Sequence, residues 1–206
     1  MPDINSSKRA EVIETSSTGY TAQCYDLNAA PPLGSLVKTS VDGITIFAVV
    51  AHVSTTSLEP GRKPVARGKD EVTEEDIFKA NPQLEKLLRC EVNAVIVGHQ
   101  TPDPVGGGEI RHYLPPRPAR LHGFVYACSD GEVRDFSKKT GFITLLLSAQ
   151  GEVSAEEMTA ATLRRMSASY EGDERRKFLL TAGKALAQLL SADYNRLKTI
   201  LERLSV

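Results

Sequence analysis

Apolar and polar residues alternate with a period of two along much of the N-terminal half. The segment 20–25 alternates in this way, which is typical of a half-buried strand. The segment 44–53 is β-branched or aromatic at most positions and follows a hairpin signal at Asp42-Gly43. Further strands are predicted near residues 11–15, 36–38, 92–98 and 110–114. Short strands separated by turn residues predict a small β-barrel.

Two short helices are predicted to interrupt these strands at about residues 73–90. Thr73, followed by three acidic residues, has the form of a helix N-cap with an acidic first turn. Asn81 and Pro82 predict the start of a second helix with one leucine-rich face. The barrel domain is therefore expected to span residues 8–120 and to contain this helical insertion.

The pattern changes to a period of 3.6 in the C-terminal part of the chain. A proline-rich link at 115–118 precedes Ser129 and Glu132, which have the spacing of a capping box. Four helices joined by short loops follow, which is typical of a compact bundle over residues 129–206. Residues 140–148 fit either a helix or a buried strand. The predicted fold is α+β: a small closed Greek-key-type β-barrel with a helical insertion, followed by a C-terminal α-helical bundle.

Composition places the chain among ordinary globular proteins. It has 206 residues, of which 41% are hydrophobic and 25% charged, with a net charge of −1. That balance provides no overall field to attract DNA or an anionic membrane. No apolar run approaches the roughly 20 residues of a membrane-spanning helix, and the N-terminus lacks the apolar core of a secretory signal. We therefore expect a cytoplasmic protein.

Cysteine and histidine placement does not indicate catalytic or metal chemistry. Three widely separated cysteines indicate buried, reduced thiols: Cys24, Cys90 and Cys128. The four histidines show no metal-ligand spacing: His52, His99, His112 and His122. Asp103, close to His99 and several glycines, could belong to a catalytic loop, but a Pro/Gly-rich connection is favoured. We expect no cofactor and no metal, and we assign no catalytic residue.

A basic loop at residues 62–69 is the best candidate for binding. It contains four cations in eight residues, spaced by proline and glycine, and it could engage phosphates or an acidic partner. A second basic group lies near the end of the barrel region, and binding gains support if both groups share one face. The candidate partner-binding residues are Arg62, Lys63, Arg67, Lys69, Arg117 and Arg120.

Several of these segments resemble a known barrel family. The opening strand at 11–15, the turn and strand at 33–37 and the hairpin into 44–53 resemble the HAS barrel. That barrel is shared by the N-termini of rotary ATP synthase subunits and of HerA-type DNA-translocating ATPases. The wider pattern resembles a cyanobacterial family of HAS-barrel proteins; it comprises 31–39, 54–64, 66–71 and 81–84. The resemblance implies a barrel closed by strands near 92–98 and 110–114.

The chain departs from those ATPases at the nucleotide-binding core. A phosphate-binding loop needs Gly-x-x-x-x-Gly-Lys followed by Ser or Thr, and no segment of this sequence has that pattern. The ATPase activity is therefore not implied. The expected function is a non-catalytic protein-interaction or assembly module that binds another protein or itself. A nucleic-acid-associated factor using the basic loop is the alternative, and an enzyme is a weaker one.

Overall fold

The computed structural model describes residues 8–59, 61, 63–102 and 108–204. Within those residues the strands are β1 (Lys8–Thr15), β2 (Gly19–Cys24), β3 (Leu36–Val41), β4 (Ile44–Ser57), β5 (Leu88–Gln100), β6 (Ile110–Arg111) and β7 (Phe124–Ala127). The helices are α1 (Glu74–Ala80), α2 (Leu84–Leu87), α3 (Asp130–Phe136), α4 (Phe142–Ser148), α5 (Ala155–Ala168), α6 (Gly172–Leu189) and α7 (Tyr194–Leu204).

Six antiparallel strands within the described residues form a closed barrel. Its order is β1, β7, β3, β4, β5 and β2. The ring closes where β2 pairs with β5, from Gly19 opposite Val95 to Gln23 opposite Glu91. The prediction of an α+β protein with a closed β-barrel is confirmed.

The strand that completes the barrel lies later in the chain than predicted. We expected 110–114 in this role, but β6 covers only two residues and pairs with the end of β5. Instead, β7 pairs with both β1 and β3. Its four residues are too few to show a period, and they follow a proline-rich link. The barrel strands therefore continue past residue 120, where we had ended the barrel domain.

The predicted hairpin between β3 and β4 is present. Asp42 and Gly43 have φ values of 49° and 79°. Positive φ at both central residues is the geometry of a type I′ turn, for which Asp-Gly is a preferred sequence. The turn fixes the β3–β4 register, in which Val41 lies opposite Ile44 and Leu36 opposite Val49.

The helical insertion differs from the prediction in two details. Thr73 caps α1 as expected, since its hydroxyl accepts from the Asp76 N–H. Asn81 does not start the second helix; its side-chain amide donates to the carbonyl of Ile77 and closes the first one. The insertion is also shorter than 73–90, because strand β5 begins at Leu88.

The helices from α3 onward share a core with the outer face of the barrel. Side chains directed into the barrel form one apolar cluster, which includes Val12, Ala22, Val37, Ile46 and Ile96. Leu36, Phe47, Val49 and Val97 point the other way and pack with helical residues such as Phe136, Phe142, Leu146 and Leu163. One layer of sheet thus separates two cores.

The segment 140–148, which the pattern left open, contains helix α4. Phe142, Ile143 and Leu146 are buried at helical spacing and belong to the shared core. Ser129 and Glu132 form the predicted reciprocal capping box at the start of α3. Helices α3 and α4 therefore pack directly on the outer face of the barrel.

Candidate interaction surfaces

Strands β4 and β5 extend as a two-stranded ribbon past the strand that closes the barrel. The pairing of β2 with β5 ends at Glu91, whereas β4 stays paired with β5 as far as Ser57 opposite Leu88. Residues 58–87 connect the two strands at the tip, and we call them the ribbon insertion. The register places this segment at the opposite end of β4 from the β3–β4 hairpin.

The ribbon insertion has no buried side chain among its described residues. Helices α1 and α2 both lack a buried residue. Apolar side chains remain open to solvent: Val72 is 94% exposed, Val65 77% and Leu58 48%. Isolated exposed apolar residues are ordinary. The described residues of this segment thus have several exposed apolar side chains and no buried one.

The basic loop lies on this insertion, against the start of α2. Lys63 and Arg67 line a cleft of about 60 Å³ together with Leu84 and Leu87. The Arg67 guanidinium donates to the side-chain carbonyl of Asn81 at 3.2 Å. Two of the predicted binding residues therefore share one small surface.

The other candidate residues of the basic loop do not line that cleft. Lys69 is exposed, and it is not among the lining residues of the cleft. Arg62 lies outside the residues that the structure describes.

The second basic group does not join the first. Arg117 pairs with Asp42 on the β3–β4 hairpin. The basic loop follows Ser57, and β4 has 14 residues between hairpin and loop. At about 3.3 Å per residue, the two groups lie on the order of 40 Å apart along the strand. Arg120 is exposed and lies in the turn just before β7, where its carbonyl accepts from the Gly123 N–H. The condition that both groups share one face is therefore not met.

An acidic groove lies beside the ribbon insertion, and the sequence reasoning missed it. The groove has a volume of about 670 Å³ and lies between the β2–β3 connection and helices α1 and α2. Its lining combines three carboxylates, one lysine, an amide and apolar or aromatic groups: Tyr25, Asp26, Leu27, Asn28, Glu75, Phe78, Lys79, Pro82 and Glu85. About fifty residues separate its two walls in the sequence. No local motif could signal it, because only the fold brings them together.

A third surface, at the junction of barrel and helices, contains a histidine. A cleft of about 360 Å³ is lined by His52, by Asn93 and by the α4–α5 connection at 149–153. The Thr21 hydroxyl donates to the Asn93 side-chain carbonyl at 3.0 Å across its floor. Among the described residues, no serine, cysteine or carboxylate makes a hydrogen bond with His52. The arrangement thus lacks the nucleophile–base pair that covalent catalysis requires.

Two of the other histidines make structural hydrogen bonds. The His99 ring donates to the carbonyl of Tyr113 at 3.1 Å, and the His112 ring donates to that of Phe136 at 3.0 Å. Burial lowers the pKa of His112, so its neutral form is favoured in the folded protein. Asp103 lies outside the described residues. No three His, Cys, Asp or Glu residues in the described part of the chain are placed to hold a metal ion.

The cysteines have the environment of inert thiols. Burial, together with the neighbouring Cys90, raises the pKa of Cys24 to about 12. Burial also raises the pKa of Cys128. A thiol is a nucleophile only as the thiolate, so neither group is activated at neutral pH.

Comparison with known proteins gives no family assignment. No protein-family model matches the chain. No curated protein matches its sequence either. Across the described residues, none of the helices combines the length and the apolar character that crossing a bilayer would require.

Proposed function

We propose that this protein is a non-catalytic docking module that binds a protein partner through the ribbon insertion. In this proposal the barrel is of the HAS type, and helices α3–α7 form the bundle that supports it. The barrel and helices provide a rigid base, and the insertion is the binding element. The partner is another protein or a second copy of the chain.

One observation carries the proposal: the ribbon insertion contains exposed apolar and basic groups but has no core. Burying a side chain such as Val65 or Val72 would stabilise a complex by roughly 1.5–3 kcal/mol. Neither residue contributes such burial within the chain itself. The segment therefore leaves the side chains of Val65 and Val72 accessible to a partner.

Closure of the barrel limits where backbone edges are available to a partner. An open sheet edge can pair with a strand of another protein, but closure of a barrel removes its edges. Here the pairing of β2 with β5 occupies backbone N–H and C=O groups that would otherwise be free along these two strands. Within the closed ring a partner must therefore recognise side chains. Beyond it, the pairings of the described strands leave the outer edges of the β4–β5 ribbon free, and the ribbon insertion presents exposed side chains at the tip.

Protein is a better partner than nucleic acid for this surface. The basic loop is followed directly by five acidic residues between 70 and 76. Phosphate backbones bind where several cations act together without opposing charge. The second basic group lies at the far end of β4. A mixed-charge surface with exposed valines fits a protein partner whose charges are arranged to match.

The proposal is tested by removing the charge of the basic loop. In the variant Lys63→Ala/Arg67→Ala/Lys69→Ala, thermal stability should change little, because exposed charges contribute about 0–1 kcal/mol each. Immobilised protein should capture fewer partners from a lysate of its source cells, and the wild-type capture should weaken as salt rises. Arg175→Ala/Arg176→Ala/Lys184→Ala on the exposed side of α6 is the matched control.

The two variants separate specific binding from general charge loss. Reduced capture by the loop variant alone supports docking through the insertion. Equal capture by the wild-type protein and both variants at low salt would show that the loop only connects its neighbouring segments and does not bind a partner. A loop variant that fails to fold would show that these residues are structural.

A further inference from the structure

We propose that the partner of the ribbon insertion is a second copy of the same chain. The basic loop of one copy enters the acidic groove of the other. This inference rests on the proposed function, since it names the partner of the same insertion. It follows from two surfaces of one chain that are complementary in charge and in apolar character.

The groove is lined by apolar and aromatic groups, three carboxylates and one cation, Lys79, so its charge is negative on balance. Tyr25 is 54% exposed and Phe78 is half-buried, and together they provide aromatic surface. The carboxylates of Asp26, Glu75 and Glu85 are exposed beside them. Within the described part of the chain, none of the three forms a salt bridge. The groove therefore suits an extended segment with cations separated by a small apolar side chain.

The basic loop has that pattern. Its sequence from Lys63 reads Lys-Pro-Val-Ala-Arg-Gly-Lys, so Val65 lies between Lys63 and Arg67. Residues 63–68 form neither helix nor strand, and Val65 is 77% exposed. Pro64 fixes its own backbone angle, which reduces the entropy that the loop would lose on binding. The loop can thus present Lys63, Val65 and Arg67 from a segment without regular structure, followed by Lys69 in a turn.

A chain cannot fill its own groove in the observed conformation. The loop packs against Leu84 and Leu87, whereas the groove is lined by Phe78, Pro82 and Glu85 from the α1–α2 region. No residue of the basic loop lines the groove. The complementary surfaces therefore coexist unpaired in one molecule, and a second molecule can pair them.

Reciprocal insertion of the two loops would give a dimer with no further loop or groove left open. If the loop of each copy enters the groove of the other, the same contact is made twice around a two-fold axis. Up to three cations then face three carboxylates in each contact. Because these charges are exposed, their attraction depends on ionic strength, and the screening length falls from about 10 Å at 0.1 M salt to 3 Å at 1 M.

Charge reversal provides a test that a structural effect cannot imitate. One variant reverses the loop (Lys63→Glu/Arg67→Glu/Lys69→Glu), and the other reverses the groove (Asp26→Lys/Glu75→Lys/Glu85→Lys). Sedimentation equilibrium of the full chain would be measured up to about 100 μM. Wild type should dimerise at about 0.05 M salt and dissociate at about 0.5 M. Each variant alone should dimerise at least about tenfold more weakly, since like charges then meet.

An equimolar mixture of the two variants decides the matter. In the mixed dimer, one contact has the wild-type charges and the other has both signs reversed, so both attract. Recovery of dimer in the mixture supports the proposal. A wild type that stays monomeric at low salt would overturn it, as would dimerisation unaffected by either reversal. Circular dichroism checks that each variant folds. If the reversed groove does not fold, Glu75→Gln/Glu85→Gln replaces it in the comparison of single variants, where it should dimerise more weakly than the wild type.

The outcome is distinguishable from a failure of the proposed function. A monomeric wild type that still captures a different protein through Lys63, Arg67 and Lys69 would remove only the self-docking inference. A protein that neither dimerises nor captures a partner would remove both.

Discussion

The barrel–helix junction and the ribbon insertion are built in opposite ways. At the junction, the Phe136 ring lies 5.1 Å from that of Phe47, 4.6 Å from that of His112 and 5.4 Å from that of Phe142, measured between ring centroids. Phe136 is 1% exposed. At the ribbon tip, no described residue of the insertion is buried. We therefore expect stability to be concentrated where barrel and helices meet and the insertion to contribute little to it.

The largest expected effect comes from opening the junction. Phe136→Ala would remove a ring that packs against three others and leave a cavity, which costs about 3–5 kcal/mol. Val65→Ala on the ribbon insertion should change the free energy of unfolding by less than about 0.5 kcal/mol. Urea denaturation of both variants measures the contrast. Similar losses for the two would show that the insertion contributes to the fold as much as the junction does.

A close backbone approach provides the next test of the junction. Gly34 has a φ of 79°, and a Cβ atom placed there would lie 2.6 Å from the carbonyl carbon of Ala161 in α5. Gly34→Ala should cost at least about 2 kcal/mol, because the left-handed strain of about 1–2 kcal/mol adds to a clash with backbone. Gly172→Ala is the control: its φ is 48°, and a Cβ there would meet nothing within 4 Å.

Thermal unfolding separates the two contributions. The control should lose only the strain, about 1 kcal/mol. If Gly34→Ala is no more destabilised than Gly172→Ala, then α5 does not pack closely on the barrel and the shared core is looser than described.

A smaller effect is expected from His112, a half-buried histidine at the junction. Burial lowers the pKa of His112, so between its ordinary value of 6.5 and its folded value the unfolded chain binds a proton that the native state does not. The free energy of unfolding should therefore fall as the pH decreases below about 6.5. Urea denaturation at several pH values between 7 and 5 measures this slope, and His112→Gln should flatten it. An unchanged slope in the variant would assign it to other groups.

Much of the fold was predictable because it depends on local chemistry. The Asp42-Gly43 hairpin needs only two residues that tolerate positive φ, and the capping box of Ser129 and Glu132 needs only one spacing. Strand β7 was not predicted, because its four residues gain their role from pairing with β1 and β3. The sequence left the form of residues 140–148 undecided, because the run from Phe142 to Leu147 is apolar at all positions but Thr144 and shows no clear period. Tertiary packing decides it, since Phe142, Ile143 and Leu146 are buried at helical spacing.

The candidate surfaces were less predictable, because most of them depend on tertiary contacts and not on local sequence. The basic loop is a local cluster of charge, so the sequence displayed it directly. The acidic groove joins Asp26 to Glu75 and Glu85, and the separation of the two basic groups depends on the length and register of β4. Juxtapositions of this kind are set by tertiary structure, which no single segment encodes.

Replacement of the whole insertion tests most directly whether it is a docking element independent of the fold. Ser57 lies opposite Leu88, so residues 58–87 can be exchanged for Asn-Gly, which would close the ribbon as a two-residue hairpin. We expect an unfolding midpoint within a few degrees of the wild type, together with loss of partner capture. A shortened protein that is unfolded, or one that captures partners as well as the wild type, would contradict the assignment of binding to the insertion.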